Sequence, residues 1–396
     1  MSDYHLVYDY FLDPTRWAPG VLWTPLQFSQ VDGHVAAVNG VVADTTLFDG
    51  VLKPDRACAG VSATELYNAA TNPGGVRCSL QDYMINVFGP RDRSRWATPE
   101  QSIARGFAGA PIDNVGVQYA LVALQKGQIT PAQFIDLNLK VGGLTVDALP
   151  DGERHAADAL TLVNAYRSGA LNQRTNSNEI EILDGRGPDP GYIHDSYRAF
   201  AVRARLDRAH GTHANHVIWE GPVLDYGDLY FLEKALEAMD RRLAAVEKDS
   251  SNRPLPEKIV SNKPADITDR CYSGTNVKVS DGLCPDAVVP IYGTPRTVAG
   301  DALTTDTNKC QLKPLQRKDD YGSVGFDDSQ WAQLQRIFGT GVCDFSKPGV
   351  GQQSTIPWLT YQKKDGSVIY GGAALPTRPM NSGQAWMSTA FAGSRF

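Results

Sequence analysis

The stretch EIEILDGRGPDPGYIHDSYRAF, Glu179 to Phe200, sets two turn carboxylates and an imidazole around a Gly- and Pro-rich turn. An apolar run ends near Asp184, Asp189 stands at the tip of the turn, and His194 leads into a helical pattern. That order fits the acid arm of a Ser-His-Asp hydrolase, in which a carboxylate placed after a strand orients an imidazole that moves the proton of a nucleophile. Asp189 is the better-placed acid, because a carboxylate at the turn tip can reach a ring nitrogen; Asp184 is the alternative. The same residues are also ordinary turn chemistry, since Asp, Gly and Pro are what tight turns are built from.

The hydrolase pattern asks next for a histidine in the loop after the following strand. That strand reads as NHVIWEG, yet the loop PVLDYGDLYF after it contains none. His194, His210, His213 and His216 all precede it or open it, and His213 and His216 are taken as the candidate bases. His210, His213 and His216 form H-x-x-H-x-x-H, which invites a metal because neutral imidazoles are usual zinc ligands. Gly211 and Thr212 break the helix there, and residues three apart in the strand that follows point to opposite faces. No metal and no other cofactor is therefore expected, and His210 suits a helix end, where it favours the dipole.

No G-x-S-x-G pentapeptide occurs to supply a serine elbow. AGVSATE and GQQSTIP come nearest, but Ser62 reads as the N-cap of ATELYNAAT, with Glu65 completing a capping box. There is no Cys-His dyad, phosphate loop or dinucleotide fingerprint; NPGGVRC lacks the strand such a loop needs before it.

These residues must be held by ordered elements. Residues 1 to about 175 read as helices separated by Pro and Gly turns: SATELYNAAT, DNVGVQYALVALQKG, TPAQFIDLNLKVGG and ERHAADALTLVNAYRSGA. Thr130 caps the third, with Pro131 at its first position and Gly142 and Gly143 as its stop. Val115, Tyr119 and Val122 would share one face of the second. Then NEIEILDG, HDSYRAFAVRARLDRAHG with an Arg-rich outer face, NHVIWEG and DLYFLEKALEAMDRRLAAVEKD alternate strand, helix, strand, helix, the rhythm of a parallel sheet. Two strands do not complete such a sheet, so others must join from elsewhere. Beyond Ser250, Pro, Gly, Asp and Lys dominate, and DDSQWAQLQRIF, capped by Asp327 or Asp328, is the one convincing helix. The expected domains are a helical lid over 1–176, a βαβα core over 177–250, and an irregular extension over 251–396 that holds four cysteines.

Bulk composition narrows the class. Hydrophobic residues at 42% and charged residues at 21% are globular values that argue against disorder. A net charge of -6 leaves no basic footprint for nucleic acid, so a neutral or small-molecule partner is expected. No window approaches the roughly 18 apolar residues of a membrane span. Six cysteines, Cys58, Cys78, Cys271, Cys284, Cys310 and Cys343, form no C-x-x-C pair. Pairing neighbours in sequence joins Cys58 to Cys78, Cys271 to Cys284 and Cys310 to Cys343, one of fifteen connectivities. Disulfides imply an oxidising compartment, hence a secreted or periplasmic protein. MSDYHLVYDYFLDPTRW is no leader, so the chain is expected to be mature or to have lost its true beginning.

Five segments, TNPGGVRCSLQDYMINVFG, DNVGVQYAL, RLDRAHGTHANHVIW, RPLPEKIVSNKPADITDRC and GVCDFSKPGVGQQSTIPWLTY, together resemble a family of exported bacterial proteins catalogued only as a domain of unknown function. That family is similar in architecture to tannase-like and polyester-depolymerase-like α/β-hydrolases, and the resemblance covers almost the whole chain. It implies an α/β fold comprising the C-terminal strands and helices of a parallel sheet, with a helical lid and a disulfide-bonded extension. It also implies longer proteins, whose upstream part carries a leader, the first strands and a serine-bearing turn. On that basis the chain is expected to be the C-terminal part of an exported serine-esterase-like hydrolase, inactive alone, acting on a small-molecule or polymeric ester. Its missing amino-terminal half would then be a partner. The rival expectation is an extracellular binding or structural protein of hydrolase topology, with Trp219, Trp331, Trp358 and Trp386 lining a sugar or polymer site.

Overall fold

The computed structural model describes residues 2–171, 173–187, 195–221, 229–275, 277–318, 320–356, 361–362, 365 and 367–370. The chain is a mixed α/β protein whose contacts divide it into two compact units. The first comprises Met1–Asn172, Thr294–Asp301 and Asp306–Phe396; the second comprises Gln173–Gly293 and Ala302–Thr305.

The principal helices of the first unit's leading segment are α1 (Ser2–Leu12), α2 (Pro25–Asp32), α3 (Pro131–Lys140) and α4 (Ala159–Arg167). Thr24 with Gln27 and Thr130 with Gln133 form complete capping boxes, each followed by proline at the first turn; the cap expected at Thr130 is formed, and α2 starts the same way. Val7, Tyr10, Leu124, Phe134 and Leu137 lie fully buried in one apolar cluster. The Tyr10 hydroxyl donates to Asp136 Oδ2 at 2.7 Å, tying α1 to α3.

Two expected helices are not formed as read. In SATELYNAAT, Ser62 N–H and Oγ–H both donate to Glu65 Oε2, at 3.1 and 2.7 Å, but the chain then turns. Asn68 Oδ1 takes the N–H groups of Ala70 and Thr71, an Asx turn that competes with helix. In DNVGVQYALVALQKG only Leu121–Gln125 is helical. Gly116 adopts φ +79° and its carbonyl accepts from Cys343 N–H, while Tyr119 N–H donates to Asn138 Oδ1. Tertiary hydrogen bonds here replace the helical ones, and Val115, Tyr119 and Val122 do not share a helix face.

The second unit is built on β1 (Ile182–Arg186), α5 (Tyr197–His210), β2 (His216–Glu220), α6 (Leu229–Glu247), α7 (Leu255–Ser261), β3 (Arg270–Tyr272) and β4 (Lys278–Asp281). The sheet order is β1-β2-β3-β4, with the first three strands parallel and β4 antiparallel to β3. Residues 270–281, beyond Ser250, supply the two further strands. Helix α7 was not legible because Pro254 and Pro256 flank its start, although proline at that position is compatible with a helix. The arginines of α5 are not a uniformly outward face: Arg203 has a side chain 12% exposed and grips Asp269 with both terminal nitrogens.

Strand alternation gives the sheet two chemically different faces. Val217 and Trp219 pack with Leu183, Ala235, Ala238, Ile267 and Tyr272, an apolar layer shared with α6. Arg242, also on α6, is fully buried and donates to the carbonyls of Ile182 and Asn215 at 3.1 and 2.8 Å while contacting the Glu181 carboxylate.

The first unit is completed by β5 (Gln311–Lys313), α8 (Asp328–Ile337) and β6 (Val342–Asp344), with β5 antiparallel to β6. Asp327 caps α8 through a box with Gln330. The disulfides join Cys58 to Cys78, Cys271 to Cys284 and Cys310 to Cys343, the sequence-neighbour pairing.

Two stability predictions follow from these contacts. Arg242→Met should destabilise the second unit by about 3–5 kcal/mol in urea unfolding, because it strands a covered carboxylate and two carbonyls. Replacing both Cys310 and Cys343 with Ser, across a separation of 33 residues, should lower the stability of the first unit by about 3–4 kcal/mol.

Candidate functional site

On β2, His216, Ile218 and Glu220 alternate with the apolar Val217 and Trp219 and so point to the other face of the sheet. On β1, Asp184 takes the corresponding side, and the parallel register sets Ile182 beside His216 and Asp184 beside Ile218. The two side chains meet: His216 Nε2 lies 2.7 Å from Asp184 Oδ2. Arg186 Nη2 donates to Asp184 Oδ1 at 3.2 Å. Asp269 accepts from Arg203 and, through Oδ1, from Ile218 N–H at 2.9 Å. A charged seam therefore lies on the face opposite the apolar layer.

Electrostatics fixes the protonation of the pair. Burial works against charge on Asp184, but the His216 bond and the neighbouring Arg186 and Arg174 outweigh it and hold its pKa below the usual value. Burial pushes the His216 pKa down, and the pull of Asp184 does not offset that. An ionised carboxylate only accepts, so the neutral ring carries its proton on Nε2 and leaves Nδ1 as a bare acceptor. Nδ1 is buried and has no hydrogen-bond partner among the described residues.

The other candidates are placed differently. Asp189 and His194 lie outside the described residues. His213 is on the surface, its Nδ1 2.9 Å from Asp207 Oδ1. His210 sits in the last turn of α5, its Nε2 2.9 Å from the Arg174 carbonyl, and Gly211 closes the helix at φ +73°. The three histidines thus have three separate partners, and among the described residues no group of three metal-ligating side chains comes together. Trp219 is fully buried in the core and does not line a surface site. Trp331 packs on Tyr321 and Phe326; Trp358 and Trp386 lie outside the described residues.

One buried carboxyl was missed from the sequence. Glu220 ends β2, the middle of the three parallel strands, and is 1% exposed. Its Oε2 accepts from Cys284 N–H at 2.9 Å, Oε1 has no partner among the described residues, and burial raises its pKa. It stands at the carboxyl edge of the parallel strands, where open α/β sheets bind ligands. The period-2 pattern of HVIWE, which puts Glu220 on the same face as His216, was the available signal.

The pair makes stability depend on pH. Below the unfolded His pKa of about 6.5 the unfolded chain takes up a proton that buried His216 refuses, so stability falls with pH from there. The Asp184 contribution is present above its unfolded pKa and is lost at lower pH, as the folded carboxylate finally protonates. In urea unfolding at pH 7 and pH 5.5, His216→Gln should show a smaller loss of stability between the two than the unaltered protein. An identical loss in both would remove His216 as the source.

A family model described as "Tannase-like family of unknown function (DUF6351)" matches residues 1–354. No curated protein matches the chain. No solved structure matches it either.

Proposed function

Because the chain belongs to that tannase-like family of unknown function, we propose that it forms part of an exported esterase-type hydrolase with a partial α/β-hydrolase fold. The observation that carries the reading is the parallel β1-β2-β3 arrangement with helical crossovers; in the sequence, the Gly- and Pro-rich stretch that holds Asp189 comes directly after β1. The three disulfides suit an oxidising compartment.

In this reading a serine attacks the ester carbonyl, an imidazole takes the serine proton and returns it to the leaving alcohol, and a carboxylate holds the imidazole in the productive tautomer. Asp189 is assigned as the acid, since its Gly- and Pro-rich stretch follows β1 in the sequence. Asp184 and His216 form the second acid-base candidate. Each of the two imidazoles lies beside a carboxylate, His216 beside Asp184 and His213 beside Asp207, and of the two His213 has the exposure that a proton carrier needs. The serine is assigned to sequence beyond these 396 residues, which hold no G-x-S-x-G pentapeptide.

A second reading, a binding or structural protein of hydrolase topology, is favoured by one observation: the His216 side chain has no exposure to solvent. A buried pair of this kind can hold two strands together without touching a substrate.

Hydrolysis of p-nitrophenyl acetate by the chain, and by a form extended upstream in its source genome, separates the readings. The extended protein is expected to turn over the ester and the 396-residue chain is not. Asp189→Asn in the extended protein should lower kcat by roughly ten-thousand-fold, as loss of the orienting acid does in other triads. No turnover by the extended protein would support the second reading; full activity in Asp189→Asn would remove that residue as the acid.

A further inference from the structure

Helix α6 carries apolar side chains on more than the face it turns to the sheet. Ala235, Ala238 and Arg242 face the sheet. Leu232, Leu236 and Leu243 lie outside that layer and are 47%, 71% and 49% exposed. Met239, between the last two, and Val246, one turn further on, are half-buried. The series 232, 236, 239, 243 and 246 advances by four and three residues in turn, which is the spacing of a coiled-coil seam. On the helix it makes a stripe about 21 Å long. Among the described residues, no apolar cluster includes these five side chains. Single exposed leucines need no explanation, but a contiguous stripe marks an interaction site.

One border of the stripe is a line of carboxylates. Glu233, Asp240 and Glu247 each directly follow a stripe residue, recur every seven residues and are exposed. Nearby cations of α6 are engaged with other acids: Lys234 pairs with Glu237 and Arg241 with Asp266. Among the described residues, no cation lies within ion-pair distance of Glu233, Asp240 or Glu247. The opposite border is closed by the sheet, toward which Ala235 and Arg242 turn.

From this exposed seam and its acidic border, we infer that α6 docks an amphipathic helix of another protein, one with a matching apolar stripe and lysine or arginine along its flank. The apolar stripe supplies burial, and the basic flank gives Glu233, Asp240 and Glu247 the counter-charge that α6 lacks. A second copy of this chain does not fit. Antiparallel pairing of two stripes about a two-fold axis sets Asp240 against Asp240 and Glu233 against Glu247, like charges facing each other. Parallel pairing directs the acids to Ala235 and Arg242, which the sheet covers. An anionic lipid surface is repelled by the same carboxylates. The inference is independent of ester turnover.

The test uses the whole chain and a fluorescent peptide of about three heptads, with leucine at both seam positions and lysine on the flanks, whose charges also keep it from pairing with itself. In fluorescence anisotropy at about 0.02 M salt the lysine peptide should bind, and a twin with glutamate on the flanks should bind at least about tenfold more weakly. The double variant Leu236→Ser, Leu243→Ser should weaken the lysine peptide by about tenfold or more. Its urea midpoint should stay in place, because both side chains are exposed. Glu233→Lys, Asp240→Lys and Glu247→Lys together should reverse the preference between the twins. Failure of the lysine peptide to bind at about 0.1 mM, equal binding of the twins, undiminished binding by the folded leucine variant, or an unchanged preference after charge reversal would each overturn the surface. A dimer in sedimentation velocity that Leu236→Ser dissolves would overturn it as well, by making a second copy the occupant.

Discussion

A guanidinium without access to water stands where α6, β1 and the entry to β2 meet. Arg242 reaches two backbone carbonyls, one on β1 and one at Asn215 before β2, and contacts the covered carboxylate of Glu181. Asn215 is itself a junction: its carbonyl also accepts from Ile182 N–H, and its amide donates to the carbonyls of Ser177 and Ile180. The amino ends of two parallel strands are thereby fixed to each other and to the helix between β2 and β3. Because a buried charge is costly unless its partners are present together, this junction is satisfied only in the assembled unit. The register of β1 on β2, and with it the meeting of Asp184 and His216, depends on that geometry.

The two faces of the sheet divide the labour of the second unit. The α6 side is apolar and supplies most of the burial, with Trp219 and Val217 at its centre. The other side carries charge: Asp184, His216, Arg203, Asp269 and Glu220. Such groups contribute less to net stability than an apolar layer of the same size, because removing each from water offsets much of its pairing. Their uniform placement on one face is what makes this seam a candidate for function as well as for structure. Glu220, raised in pKa and ending the middle parallel strand, extends the seam to the edge where parallel sheets meet their ligands.

How much was legible follows from which interactions are local. Thr130 with Pro131 and Gln133, and Asp327 with Gln330, announce their helices because a cap is closed by residues three apart. The alternation of NEIEILDG, α5, NHVIWEG and α6 announced two parallel strands because periodicity is also local. The rest needed the fold. Tyr119 was read on a helix, but Asn138 takes its backbone N–H; Ser62 and Glu65 made their bonds without a helix following. The joining of Arg270–Tyr272 to β2 could not be seen in a segment of three residues, too short for any period. Asp184 was nominated from its turn and His216 from its place beside the strand, yet the bond between them is a product of register across two strands.

The division of the chain has a consequence for the order in which the protein is made. Nearly all of the second unit is one continuous run, Gln173–Gly293, whereas the first needs its leading 172 residues together with segments after Thr294. Gly116 accepts from Cys343 N–H, and Gln125 donates to the Asp320 carbonyl, so parts of the first unit wait for chain synthesised roughly 200 residues later. During translation the second unit can close most of its contacts while the first still lacks its final strands and the Cys310–Cys343 bridge. The unit whose leading segment precedes the other is therefore completed after it, and those leading 172 residues must be kept from wrong partners until the strand at Val342–Asp344 arrives.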